Sequence, residues 1–251
     1  MTTLDGVSIR FYAELNDFLS PAYRQVRFMP PVAERATVKH LIESLGVPHP
    51  EVDLVLVNDQ PVGFSHVVQI GDRISVFPRF RRLDLGTWAL SRQLAVTEPR
   101  FALDAHLGKL ATYLRILGFD TYYRNDVDDE TLAEVAAAEG RFLLTRDRAL
   151  LMRRTVEAGM YVRDDDPERQ AVEVIRRFGL LPLIVPFRRC LHCNRLLEPV
   201  SKQAIEHRLL PKTRRYHHEF RLCPGCDQVF WRGSHWEHMQ ALIDRLRQEA
   251  G

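Results

Sequence analysis

Phe101-Ala102-Leu103-Asp104 is a short apolar run that ends on a carboxylate, and the same arrangement recurs along the chain. Thr121-Tyr122-Tyr123 leads into Asp126-Val127-Asp128-Asp129-Glu130. Phe142-Leu143-Leu144-Thr145 leads to Asp147, and Met160-Tyr161-Val162 leads to Asp164-Asp165-Asp166. Each run has the length and bulk of a buried strand. The segments between them read as helices: Leu107, Leu110, Leu114 and Leu117 up to Gly118, then Leu132, Val135 and Ala136 up to Gly140. A third is expected from Asp147 to Ala158 and Gly159. A fourth opens at Pro167, carries Ala171, Val174, Ile175 and Phe178, and stops at Gly179. Strands alternating with helices imply a parallel sheet covered on both faces, with the ligand site beyond the carboxyl ends of the strands.

That geometry gives the acidic residues a meaning. Asp104, Asp147 and Asp165, with Asp126 and Asp129 in the second loop, are expected on one edge. Crowded carboxylates repel unless a cation neutralises them, and an all-oxygen ligand set suits magnesium or manganese. Such an ion most often serves phosphodiester hydrolysis, and Lys109 and Arg146 are placed to neutralise the phosphate. Each acid also has a plainer role. Asp128 and Asp166 stand where helix caps stand, and Asp129 and Asp147 could serve in the same way.

The residues before this region have a different pattern. Val7, Ile9 and Phe11 alternate as a strand, and Val26 and Phe28 suggest a second. Val38, Leu41, Ile42 and Leu45 mark a helix ended by Gly46, and two strands follow, Leu54 to Val57 with an Asn58-Asp59 turn and Arg73 to Phe77. This order resembles the ubiquitin-like β-grasp domains of the sulfur-carrier type. Those carriers act through a free Gly-Gly tail, whereas here Pro78-Arg79-Phe80-Arg81-Arg82 continues into the chain, so docking a protein partner is the expected role. Residues 83–98 read as a connector.

All four cysteines fall in two Cys-x-x-Cys pairs, Cys190/Cys193 and Cys223/Cys226. Four thiolates make a closed tetrahedral set for structural zinc. The 29 residues between the pairs exceed the spacing of about 15 to 20 usual in a ribbon, so they contain an insertion. That insertion carries Arg208, Lys212, Arg214 and Arg215 with Tyr216, His217 and His218, a surface suited to tracking phosphates and stacking bases.

Phe101 to Asp120, then Asn125 to Glu130, then Arg141 to Leu150 together resemble the Mut-seven C-terminal RNase family, a PIN-like nuclease module with a terminal zinc ribbon. The resemblance covers residues 99 to about 236, and a ubiquitin-like domain often precedes bacterial members. It implies catalytic and metal-holding roles for Asp104, Asp129 and Asp147, with Asp126 and Asp165 as further catalytic carboxylates and Lys109 and Arg146 inside the same motifs. The expected architecture is therefore an α/β PIN-like parallel-sheet core at 99–185, an N-terminal α+β β-grasp domain at 1–82 and a C-terminal zinc ribbon at 186–251.

The expected activity is metal-dependent ribonuclease action on RNA. The alternative is a non-catalytic RNA-binding adaptor whose β-grasp domain docks a protein, and sulfur transfer is a third reading that the missing tail disfavours. Whole-molecule charge decides nothing, since 35 basic side chains face 33 acidic ones. The longest apolar run, Leu180 to Phe187, is broken by Pro182 and Pro186, so no membrane partner is expected. The first residues lack the pattern of a secretory signal, and a cytoplasmic location is expected.

Overall fold

The alternation at the N-terminal end forms an edge of a four-stranded sheet. In the computed structural model, which describes residues 6–78 and 98–251, β1 (Ser8–Phe11) runs parallel to β4 (Arg73–Pro78), with Ile9 opposite Ile74. β2 (Val52–Val57) is antiparallel to β4 and turns through Asn58 and Asp59 into β3 (Gln60–Pro61), giving the order β1-β4-β2-β3. Both turn residues have positive φ, 52° and 66°, the conformation a two-residue hairpin needs and Asn and Asp tolerate. Helix α1 (Val38–Ser44) is capped by Thr37, whose hydroxyl accepts from the His40 N–H at 3.2 Å. It buries Val38, Leu41 and Ile42 among the strand residues Ile9, Val55 and Val76. This is the β-grasp arrangement.

The strand expected at Val26–Phe28 shrinks to one bridge, Phe28 opposite Ile9. Gln25 at φ 58° breaks the approach, and Pro30 and Pro31 cannot donate to a continuing ladder. Two 3-10 turns, Ala13–Phe18 and Pro21–Tyr23, take up the preceding chain. The connector expected at 83–98 lies almost wholly outside the described residues.

The chain divides into two compact units, Met1–Val96 with Asp128–Tyr161, and Thr97–Val127 with Val162–Gly251. Within the first, α3 (Asp129–Ala138) leads to β7 (Phe142–Thr145), which pairs in parallel with β8 (Gly159–Tyr161). Polar groups join this strand pair to the β-grasp residues. The Tyr161 N–H donates to the fully buried Glu51 carboxylate at 2.6 Å, and the His49 ring lies 2.8 Å from the Val156 carbonyl and 2.7 Å from Glu43. Arg148 donates to the Phe18 carbonyl at 3.2 Å, and its guanidinium stands over the Phe18 and Tyr161 rings. α4 is only Arg148–Leu151 rather than reaching Ala158, and three-residue turns follow it, with the Arg153 N–H on the Leu150 carbonyl at 3.3 Å and the Val156 N–H on the Arg153 carbonyl at 3.1 Å.

In the second unit β5 (Arg100–Leu103) is parallel to β6 (Asp120–Tyr123), joined by α2 (Gly108–Ile116). Gly118 ends that connection at φ 98°, and a Cβ there would lie 2.1 Å from the Val185 carbonyl oxygen, so only glycine fits. α5 (Pro167–Phe178) is capped by Asp166, which accepts from the Glu168 and Arg169 N–H groups at 3.0 Å, and it ends on left-handed Gly179. Phe178 meets Phe101 edge to face at 5.5 Å. α8 (Ser234–Ala250) packs on α5 and ties to it through Arg245 with Glu168 at 3.0 Å. A three-stranded antiparallel sheet, β11-β10-β9, forms the ribbon from β9 (Glu198–Val200), β10 (Phe220–Leu222) and β11 (Val229–Trp231). Between β9 and β10 lies the insertion with α6 (Lys202–Ile205) and α7 (Pro211–Tyr216). Parallel strand pairs with helical connections, a β-grasp and a ribbon thus realise the expected fold class. No helix of the described residues is long and apolar enough to cross a membrane.

Removing the buried carboxylate tests the join in the first unit. Glu51→Ala leaves the Tyr161 N–H without its acceptor and is expected to cost about 1–3 kcal/mol in urea unfolding, whereas exposed Glu34→Ala stays within about 0.5 kcal/mol.

Candidate active site and metal centre

Asp104 follows the last residue of β5 and starts the 3-10 turn Ala105–Leu107 that feeds α2. Its Oδ1 accepts the His106 N–H at 2.7 Å and lies 3.1 Å from His106 Nδ1. The carboxylate is only 8% exposed while the His106 ring is 86% exposed, so an acid sits at the floor of a strand end under an open imidazole. Tyr123, at the end of β6, donates its hydroxyl to the Ala105 carbonyl at 3.0 Å. Gly108 makes room for that phenol, because a Cβ there would stand 2.6 Å from the tyrosine oxygen. Lys109 is exposed on the first turn of α2.

The other acids split between the units. Asp126 and Asp165 belong with Asp104, and Asp129 and Asp147 belong to the first unit. Asp126 is exposed and held by Arg124 at 2.8 and 3.0 Å, and this pairing lowers its pKa. Asp165 is exposed between Asp164, which pairs with Arg169 at 3.0 Å, and the cap Asp166. Asp128 caps α3 by accepting from the Thr131 N–H at 2.8 Å, which leaves Asp129 exposed in the first helical position. Asp147 caps α4 through Oδ1, with the Ala149 N–H at 2.7 Å and the Leu150 N–H at 3.4 Å. Arg146 precedes it, half-buried. A cap of this kind employs one oxygen of a carboxylate that has two.

Among the described residues, the group of His, Cys, Asp or Glu side chains brought together closely enough to hold a metal is the cysteine set. The Sγ atoms of Cys190, Cys193, Cys223 and Cys226 all lie within 4.8 Å of one another, with 3.5 Å between Cys190 and Cys226 and 3.2 Å between Cys193 and Cys223. Four sulfurs at about 2.3 Å from a tetrahedral zinc stand roughly 3.8 Å apart, so the donor set fits that ion. Burial pushes the Cys190 thiol up to about 12. At Cys223 burial acts the same way, but the backbone N–H groups of Cys226 and Gly225 and the Cys193 side chain outweigh it and bring the thiol down to about 7. Holding all four as thiolates is therefore work for a cation.

The two pairs fold alike. Cys190 donates its N–H to the Arg195 carbonyl at 2.8 Å and Cys223 to the Gln228 carbonyl at 2.9 Å. Asn194 and Asp227, each just after the second cysteine, adopt φ 67° and 57° and return their N–H groups to Cys190 and Cys223. Asn and Asp tolerate the left-handed conformation, and their place after each pair is the signal that sequence reading passed over.

The first knuckle is fastened to β6. Buried Arg115 on α2 donates to the Leu191 and His192 carbonyls at 3.0 and 3.1 Å and twice to the Thr121 carbonyl, at 3.2 and 2.9 Å. Asn194 accepts the Thr121 N–H at 3.0 Å and donates to Asp120 at 2.8 Å. In the insertion, Arg208 is engaged with Asp227 of the second knuckle, through its carboxylate at 3.1 Å and its carbonyl. Lys212, Arg214 and Arg215 are exposed, with Arg214 3.8 Å from Glu206 and the Arg215 guanidinium 5.5 Å over the Tyr216 ring.

The protein is expected to carry about one zinc per chain. Cys190→Ser with Cys226→Ser should lose it together with the ribbon structure, and metal analysis finding none, or a doubly substituted protein that melts like the wild type, would contradict the assignment.

A family model described as Mut7-C RNAse domain matches residues 99–243, and one described as Mut7-C ubiquitin matches residues 4–84. Two crystal structures of the small archaeal modifier protein 1 of Haloferax volcanii are similar at 20% identity over 30% of this chain. The likeness spans 97% and 94% of those chains, with TM-scores of 0.24 and 0.23. No curated protein matches the chain. With more than half of its length matched, the chain belongs to the Mut7-C RNAse domain family, with a Mut7-C ubiquitin domain ahead of it.

Proposed function

We propose that the protein is a divalent-metal-dependent ribonuclease whose zinc ribbon holds the RNA. The observation that carries this reading is Asp104: a carboxylate at the end of a parallel strand, nearly shielded from solvent, inside the residues matched by a ribonuclease family. Asp104, Asp129 and Asp147 are the carboxylates that would hold magnesium or manganese; oxygen is the donor such an ion takes, and among the described residues it is the cysteines, not these acids, that already lie together. When bound, it supplies Lewis acidity to the scissile phosphate and lowers the pKa of the attacking water. The chain's own part is positional and electrostatic. Asp126 and Asp165 add negative charge around the ion, His106 stands open beside Asp104, and Lys109 with Arg146 offsets the charge of the phosphate. Lys212, Arg214 and Arg215, on α7 of the insertion, bring the RNA backbone in, while Arg208 ties the insertion to Asp227 of the second knuckle. Zinc at the four cysteines is structural, and the β-grasp domain offers a surface for a protein partner.

The cap hydrogen bonds of Asp104 and Asp147 favour one competing reading, an RNA-binding adaptor without catalysis. Substitution by Asn separates the two, because Asn caps as well as Asp but is a far poorer ligand for a hard cation. Asp104→Asn and Asp147→Asn are each expected to lower RNA cleavage at fixed manganese by more than about tenfold, with metal affinity by calorimetry falling in parallel. Asp128→Asn is expected to be mild. Wild-type cleavage in both substituted proteins would end the catalytic reading. For the RNA contact, Arg214→Glu with Arg215→Glu should weaken binding and reduce the salt slope by roughly 1.4 if both contact phosphates. An unchanged slope would remove the insertion from the binding surface.

A further inference from the structure

The ribbon region encloses a cavity of about 730 Å³, within the range of roughly 300–1,000 Å³ that takes ligand-sized groups. Its aromatic lining is drawn from separate elements: Phe187 before the first knuckle, Tyr216 and His217 at the end of α7, Phe230 and Trp231 on β11, and Trp236 on α8. The ring pairs around it meet edge-on or tilted rather than face to face. Phe187 and Trp236 are 5.3 Å apart at 67°, and His217 and Trp231 are 6.5 Å apart at 44°. Arg221 and Arg232 stand over the Phe187 ring at 5.5 and 5.9 Å, so a further ring would stack on the faces these contacts do not take, those of Trp231 among them.

The charged side chains that line the cavity are basic, with Arg189 paired to Asp120 at 3.4 Å. Lys212, Arg115 and Arg189 line it, and no carboxylate is among the lining residues. The Arg232 guanidinium stands 5.3 Å over the Trp236 ring, and Arg215 stands over Tyr216 at the exposed rim. Arg115 and Arg189 are already bonded to backbone carbonyls, which leaves Lys212 as the exposed cation of the lining, with Arg214, Arg215 and Arg232 exposed nearby. Flat aromatic walls beside a cationic rim match a group that is planar at one end and anionic at the other.

Resting on the reading that the protein handles RNA, we infer that this cavity receives an unpaired nucleobase, with the adjoining phosphate on Lys212. A paired base would have to break its pair and unstack before entering, so the site favours single-stranded RNA and is tolerant of sequence. The cavity would then hold the strand by a base as well as by its backbone.

The test uses the full chain with zinc bound and no added magnesium or manganese. It measures anisotropy of a labelled single-stranded oligoadenylate and of a ribose-phosphate strand of equal length lacking bases. The wild type is expected to prefer the base-bearing strand by about tenfold or more. Trp231→Leu and Tyr216→Ala should erase that preference while leaving affinity for the abasic strand as it was. Tyr216 is 65% exposed, so its truncation leaves the core intact, and zinc content verifies the fold of both variants. Equal wild-type affinity for the two strands, or an undiminished preference in both variants, overturns the base site while RNA binding itself stands. Binding of neither strand overturns the RNA reading and this inference with it. Tryptophan quenching by an acidic peptide but by neither strand makes the cavity a protein-docking site and overturns the proposal.

Discussion

One guanidinium fixes where the ribbon stands. Arg115 is buried at 6% exposure and divides its donors between the Thr121 carbonyl on β6 and the Leu191 and His192 carbonyls of the first knuckle. Hydrogen bonds from a charged donor contribute about 1.5–3 kcal/mol each, and only the planar fork of arginine reaches three carbonyls from one position. Asn194 completes the join from the other side by accepting the Thr121 N–H. The knuckle is thus in register with β6, β6 is paired with β5, and β5 ends on Asp104. A continuous series of short-range contacts runs from the cysteine set to the buried carboxylate.

The acids at the strand and loop ends combine two demands. A helix start needs an acceptor for its first N–H groups, and an acidic residue answers that need while favouring the positive end of the helix dipole. Asp104, Asp128, Asp147 and Asp166 all do this. Burial distinguishes Asp104 from the rest: its side chain is 8% exposed, whereas Asp128, Asp147 and Asp166 are exposed. The exposed Asp126 with its own arginine is satisfied locally.

Much of this was legible in the sequence because it is local. The four strands from Arg100 to Tyr161, the cap and stop of α5 and the cysteine spacing each follow from residues a few positions apart. The strand at Val26–Phe28 was misread because alternation says nothing of the prolines that end pairing two residues later. The bond from His49 to the Val156 carbonyl joins residues more than a hundred positions apart in the chain, which no local pattern shows. Arg115 is buried on α2 among apolar residues, and its partners are the Thr121 carbonyl and the distant first knuckle. The aromatic cavity was invisible for the same reason: Phe187, Tyr216, Trp231 and Trp236 meet only once the ribbon has closed.

The account turns on whether the carboxylates serve chemistry as well as helix starts. Titrating manganese and magnesium into the zinc-loaded protein with single-stranded RNA, and following strand scission, addresses that directly. The account predicts cleavage that is absent without divalent ion and rises to saturation with it, while zinc content stays constant. RNA bound but left intact at every concentration of either ion would contradict it.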